Sequence, residues 1–231
     1  MKWCNLVYVA LLLWSGTCLS KGSEERLWVV EQDFVKLGKR EAYEKYKKEN
    51  IEGISKGKEF SVFAFEESDR AQYLFLVPLP SFTAVGKYTE KGTQYAEKMG
   101  QALLPYFSTI HFTIESLHQY CPNCSFPAGI GELLGVYYTA IGISPGDERL
   151  FEEHLEKIAA AQKGLKDPTY FRTWKVLYGS DVPKYLVAVF GSSEKEAEKR
   201  ALSLEIIRGE WKNIVRQQKS GTARYRTDLS N

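Results

Sequence analysis

From Leu27 to Val35 the chain reads LWVVEQDFV, apolar positions interrupted by single polar ones, and the pattern predicts a strand. Leu37-Gly38 punctuates it, and Lys39 to Ile54 carries helical spacing. Phe60 to Phe65 and Tyr73 to Val77 read as two further strands, with Glu66-Glu67-Ser68-Asp69 as the hairpin turn between them. A helical stretch starts at Ser81 and runs toward Phe107, with a break expected near Gly92 and an end near Pro105. Thr109 to Leu117 then reads as a closing strand.

The same order returns in the second half. Leu134 to Ile143 reads as a strand, Ser144-Pro145-Gly146-Asp147 as a turn and helix start, and Leu150, Phe151, Leu155, Ile158 and Ala159 as one helix face. Tyr170 to Tyr178 and Tyr185 to Phe190 are strands around a Gly179-Ser180-Asp181 turn. Ser192-Ser193 with Glu196 has the form of a capping box opening a helical stretch, which carries Ala201, Leu204, Ile207, Trp211, Ile214 and Val215. Gly221 to Leu229 closes the set.

The halves also agree in detail. Gly38-Lys39-Arg40-Glu41-Ala42-Tyr43 corresponds to Gly146-Asp147-Glu148-Arg149-Leu150-Phe151, and Ala71 to Val77 corresponds to Pro183 to Val189. Thr113 to Leu117 and Arg226 to Ser230 match at the closing strands. The expected organisation is a signal peptide over 1–20, a first ferredoxin-like repeat over 21–118, a linker with a CxxC motif over 119–132 and a second ferredoxin-like repeat over 133–231.

Two such units in tandem resemble the dimeric α+β barrel superfamily, with both halves supplied by one chain. The resemblance implies an α+β fold of two tandem ferredoxin-like repeats packing as an α+β barrel, with a ligand held between sheet and helices or between the two sheets. Members of that superfamily include cofactor-free monooxygenases, haem-degrading and haem-using enzymes and isomerases of small acids, so fold by itself does not select a function.

One parity of the strands is apolar and is expected to meet the helices: Trp28, Val30, Val136, Ala140, Val187, Val189, Ile110, Phe112 and Ile114. The other parity holds Glu31, Asp33, Tyr137, Thr139, His111, Thr113, Glu115, Arg224, Arg226 and Asp228, and is expected to face the space between the sheets. His111 and Glu115 fall two strand steps apart on one face, near enough to share a proton network. Arg224 and Arg226 suit an anionic ligand or a pairing with Glu31 or Glu115. The candidate binding residues are therefore His111, Glu115, Glu31, Tyr137, Arg224 and Arg226. The competing reading is that these groups satisfy one another or face water. His154, on a helix edge, is read as structural, although the haem-using relatives ligate iron through a helix histidine.

The chain's start adds a compartment. Lys2 precedes an apolar run from Leu6 to Trp14, and Ser15-Gly16-Thr17-Cys18-Leu19-Ser20 offers small residues to a signal peptidase, with cleavage expected before Lys21. The run is shorter than the ~20 residues a membrane-crossing helix needs, and no transmembrane segment is expected in the mature chain. Cleavage removes Cys4 and Cys18 and leaves Cys121-Pro122-Asn123-Cys124. A CxxC is a redox dithiol, half a zinc site or a small disulfide loop. Set among Pro122, Ser125, Pro127 and Gly129, with His118 as its one nearby histidine, it reads as a local disulfide between Cys121 and Cys124 in a linker.

With 44% hydrophobic and 26% charged residues the chain is an ordinary globular one. Its 31 basic and 29 acidic residues are well mixed, which argues against a nucleic-acid partner. No GxSxG elbow, P-loop or strand-linked GxGxxG is present, and with three histidines no metal or other cofactor is expected. Three function classes stay open: an exported protein binding a small molecule or a protein partner; a cofactor-free oxygenase- or isomerase-like enzyme acting on a small aromatic or anionic compound through His111 and an arginine; and a structural envelope protein without ligand.

Overall fold

Leu27–Val35 forms β1, Arg40–Ser55 α1, Phe63–Glu67 β2, Gln72–Leu79 β3, Phe82–Met99 α2, Leu104–Phe107 α3 and Ile110–Tyr120 β4. Gly135–Ile143 forms β5, Glu148–Gln162 α4, Phe171–Tyr178 β6, Lys184–Gly191 β7, Glu194–Ser203 α5 and Val215–Tyr225 β8. The computed structural model describes residues 27–55, 60–67, 69–126, 134–178, 183–204, 206, 211 and 213–230. The expected signal peptide and the linker beyond Phe126 lie outside these residues.

The chain forms two compact units, Met1–Glu115 with Arg226–Asn231, and Ser116–Tyr225. In the first, β3 is central. It pairs antiparallel with β1 (Val29 opposite Val77, Glu31 opposite Phe75) and with β2 (Phe63 opposite Leu76). The first half of β4 lies beside β1, where Phe34 stacks on Phe112 at 4.3 Å and the Lys36 amide donates to the Thr109 carbonyl at 2.8 Å. In the second unit the strand order is β8-β5-β7-β6, with the second half of β4 pairing β6 from Leu117 to Tyr120. Each unit is thus α+β and carries the ferredoxin-like alternation of strands and helices.

Local chemistry sets the helix ends. Ser81 caps α2 by accepting from the Ala84 amide, and Ser193 caps α5 by accepting from the Glu196 amide. Glu196 reaches back one residue past the cap and accepts from the Ser192 amide at 2.9 Å, a variant of the capping box read in the sequence. The start of α5 lies hard against two strands. A Cβ on Gly135 would meet the Ser193 carbonyl carbon at 2.0 Å, and one on Gly191 the Ala197 amide nitrogen at 2.6 Å. Only glycine allows that approach.

Three element boundaries differ from the sequence pattern. α2 runs unbroken through the buried Gly92, and the break falls at Gly100, whose φ of 47° suits glycine. α5 ends at Ser203, and Val215, expected as the last helical position, instead begins β8, which starts ahead of the expected Gly221 and pairs with β5 as an eleven-residue strand. β8 ends at Tyr225, and Thr227–Leu229 turns as a short 3₁₀ segment. Among the described residues no helix is long and apolar enough to cross a membrane.

Candidate functional site: a buried lysine–carboxylate cluster

The face expected to meet the helices is confirmed on β7, where Val187 and Val189 join the core of the second unit. It is inverted on β1, β5 and β4. Glu31 and Asp33 both reach Lys47 of α1, Ile141 packs with Phe151 and Leu155 of α4, and Thr113 donates to Asp33. Phe112 and Ile114, expected inside, are 53% and 40% exposed. β1 is buried on both faces over most of its length, so its alternation of apolar and polar residues does not mark the helix side.

α1 places Tyr43 and Lys47 one turn apart on its inner face, and β1 places Glu31 and Asp33 two residues apart opposite them. Lys47, with no exposed surface, donates to Glu31 Oε1 at 2.6 Å, to Asp33 Oδ2 at 2.9 Å and to the Tyr106 hydroxyl at 3.3 Å. These three bonds use all the protons of its ammonium group. Its Nζ also stands 3.8 Å from the centre of the Phe75 ring. Asp33 Oδ2 accepts further bonds from Tyr43 at 2.7 Å and Tyr106 at 2.9 Å, and Oδ1 accepts from Thr113 at 2.5 Å.

Burial raises the pKa of Asp33, but the charge of Lys47 and the bonds from Thr113, Tyr43 and Lys47 outweigh it and hold the carboxylate ionised. Lys47 loses basicity to burial and regains more from Asp33 and Glu31, so it stays charged. Glu31 goes the other way. Burial dominates, Lys47 offsets only part of it and the neighbouring Asp33 adds to it, so its carboxyl is pushed up to about 8. The cluster therefore has one fixed ion pair beside a carboxyl that holds its proton near neutral pH.

In the second unit the same framework is apolar. By the repeat correspondence Glu31, Asp33, Tyr43 and Lys47 become Thr139, Ile141, Phe151 and Leu155, and the last three pack with Tyr185 and Val187 in an apolar core. The fold does not require charge at these positions.

Around the cluster, Glu115 is half-buried and its carboxyl is raised by burial. Glu31 and Glu115 both act electrostatically on the buried Tyr88 phenol, whose pKa is raised by burial first and by these two carboxylates second. His111 is exposed, Tyr137 is half-buried on β5, and Arg224 is exposed on β8.

Arg226 lies beyond β8 and belongs to the first unit. Its partners are not the expected Glu31 and Glu115. Its guanidinium bonds Glu44 at 2.8 and 3.1 Å, Glu66 at 2.8 Å and Asp228 at 2.8 Å through both oxygens. All three guanidinium nitrogens are thereby engaged by carboxylates. Hydrogen bonds from Arg226 chiefly, with help from Tyr73, take the Glu44 carboxyl down to about 2. Tyr73 bonding Glu44 has a repeat counterpart in Tyr185 bonding Glu152.

Cys121 and Cys124 are free thiols here, where the sequence pattern leads to a disulfide. His154 stacks on Trp211 at 4.0 Å and its Nε2 is buried, the packed setting of a structural histidine. Among the described residues no group of three or more histidine, cysteine or acidic side chains is placed to hold a metal ion.

No protein-family model matches the chain, and no curated protein sequence does. Solved structures match its fold. An anthrone oxidase-like protein aligns with a TM-score of 0.59 at 13% identity over 88% of this chain and 92% of its own. A monooxygenase-like protein from Lactobacillus acidophilus aligns at 0.55 and 7% identity, over 90% of this chain and 99% of its own. Chlorite dismutase from Candidatus Nitrospira defluvii aligns at 0.57 and 10% identity, over 88% and 92%. The chain shares its α+β fold with these proteins.

Proposed function

We propose that this chain, with its dimeric α+β barrel superfamily fold, is an exported small-molecule-binding protein whose first unit transfers a proton to or from its ligand through Glu31, with Lys47 and Asp33 holding Glu31 in place. One observation carries the reading: a buried Lys47–Glu31–Asp33 constellation occupies positions that the second unit fills with Leu155, Thr139 and Ile141. Burying ions costs several kcal/mol, of order, even when they are paired, and an apolar core is available to this same framework. A carboxyl poised at about 8 beside a fixed ammonium suits general acid–base work near neutral pH. Glu115 and Thr113 lie half-buried on the same strand face, and Thr113 donates to Asp33. The fold neighbours described as monooxygenase-like and anthrone oxidase-like support a small aromatic compound with an acidic C–H or O–H as the ligand class. Export is supported by the apolar run from Leu6 to Trp14 and the small residues after it.

The test uses a panel of phenols, anthrone and small keto acids in deuterated buffer, following exchange of acidic protons by NMR and oxygen uptake by electrode. A compound accelerated by the wild-type protein is expected to lose about 100-fold or more in rate on Glu31→Gln, the range of a general acid–base group. Exchange that survives this substitution unchanged would remove Glu31 from the reading.

A further inference from the structure

The CxxC segment is not a loose linker. β4 runs to Tyr120, and the Cys121 amide donates to the Thr173 carbonyl at 2.9 Å. The Ser125 hydroxyl donates to the Cys121 carbonyl at 2.7 Å, while Thr173 donates from its amide to Ser125 Oγ at 2.9 Å and from its hydroxyl to the Cys124 carbonyl at 2.6 Å. Phe126 and Phe171 then exchange two backbone bonds of 2.9 Å. The turn is pinned to β6 at both ends.

The thiols differ in surroundings. Cys124 is 4% exposed and sits in the apolar core with Phe151, Leu155 and Phe171, whereas Cys121 is half-buried at the rim of that core. The Cys121 thiol donates to the Gln119 carbonyl at 3.7 Å. Glu152 of α4 backs the pair, its backbone carbonyl 3.6 Å from Cys124 Sγ. Its carboxylate accepts from Lys175 at 3.0 Å and from Tyr185.

We propose that Cys121 and Cys124 are a reversible dithiol–disulfide couple that exchanges with disulfides, Cys121 attacking and Cys124 resolving. In the first step the Cys121 thiolate attacks one sulfur of a disulfide RSSR′; that S–S bond breaks, R′S⁻ leaves and a Cys121–SR bond forms. Cys124 then gives up its proton and attacks the Cys121 sulfur, expelling RS⁻ and forming the Cys121–Cys124 bond. The dithiol loses two electrons, the disulfide gains them, and the two protons end on RSH and R′SH. A partly exposed sulfur in front of a buried one supplies the order of attack, since the incoming disulfide reaches only the first.

The protonation balance agrees with this geometry. The neighbouring Cys124 thiol is the largest influence lowering the Cys121 pKa, and Lys175 adds to it against burial and the Glu152 charge. The neighbouring Cys121, with burial, pushes Cys124 up, so Cys121 gives up its proton before Cys124 does. The oxidised member of the couple is the local disulfide expected from the sequence; the structure is its reduced member. Nothing in this inference depends on Glu31 or Lys47.

The full mature chain, reduced and native, tests it. Iodoacetamide with peptide mapping is expected to label Cys121 about 10-fold or more faster than Cys124, as thiolate character and exposure dictate. Glutathione disulfide and a disulfide-linked peptide, as separate arms, are expected to convert the wild type to the internal disulfide, and their relative rates show which class of disulfide it prefers. Cys124→Ala should stop at a mixed disulfide on Cys121, and Cys121→Ala should not react. Lys175→Met should slow labelling at about pH 7 and leave it unchanged at about pH 10, where the thiol is ionised without help. Equal labelling of the two thiols, a mixed disulfide that persists in the wild type, or an oxidised pair that reduced glutathione leaves untouched would each overturn the proposal. The labelling arm needs no substitution, so a variant that fails to fold does not shield it.

Discussion

Lys47 bonds Glu31 Oε1 at 2.6 Å from a position on α1 whose counterpart on α4 is Leu155, a residue with no exposed surface in an apolar core. One framework therefore carries two kinds of interior. The polar one has its hydrogen bonds arranged so that Lys47 uses all its donors and Asp33 accepts from Lys47, Tyr43, Tyr106 and Thr113.

The first expectation follows from that pairing. Lys47→Met strands two buried carboxyls and should cost about 3–5 kcal/mol in a urea melt, the range for breaking a buried ion pair from one side. Replacing the set together with the second unit's residues (Glu31→Thr, Asp33→Ile, Tyr43→Phe, Lys47→Leu), with Tyr106→Phe so that its hydroxyl is not orphaned, should be neutral or stabilising by about 1–4 kcal/mol. A combined variant as unstable as Lys47→Met would mean that the framework does need the charges.

Arg226 and Arg224 should separate cleanly. Arg226→Ala takes a partner from Glu44 and from Glu66, whose side chain has no exposed surface, and should cost about 2–3 kcal/mol. Arg224 is exposed, so whatever it contacts is screened by solvent and Arg224→Ala should cost at most about 1 kcal/mol. Equal costs in parallel denaturation curves would contradict the placement of the two side chains.

The repeat and its α+β order were legible because Gly38 and Gly146, and the Tyr73 and Tyr185 strands, keep their offsets. The strand faces were not, because β1 and β5 are buried on both sides and alternation carries no direction there. Glu31 was found as a candidate but with the wrong partners. Lys47 was missed: among Lys45, Lys48 and Glu49 it reads as one more solvated helix residue. The available signal was the repeat itself, since the offset that aligns Tyr43 with Phe151 puts Lys47 on the core position of Leu155. Arg226 was misassigned because the closing strand stops one residue before it.

The mature chain should begin near Lys21. Intact mass of the protein recovered from its native compartment checks this, and a mass that retains Met1 to Ser20 would remove the export reading.

The pH profile should have two limbs of opposite sign. Glu31 has its folded pKa raised from 4.5 to about 8, so across that window the folded state holds a proton that the unfolded state has lost. Fewer protons bound in the unfolded state means that stability falls as pH rises from 4.5 toward 8, then levels. His118 acts the other way. It is 5% exposed, and burial first, with the charge of Lys184, takes it from 6.5 down to about 4, so the unfolded state gains a proton that the folded state refuses. Its contribution is present above 6.5 and is lost as pH falls toward 4. Between 4.5 and 6.5 the two oppose, and above 6.5 only the Glu31 limb remains of this pair. Urea melts at about pH 5, 7 and 8 should show Glu31→Gln removing the fall from 7 to 8 and uncovering a rise from 5 toward 7, and His118→Gln uncovering a fall from 5 toward 7 while keeping the fall from 7 to 8. A Glu31→Gln profile parallel to wild type between about pH 7 and 8 would show that Glu31 is already ionised there, and would take from it the proton on which the acid–base reading depends.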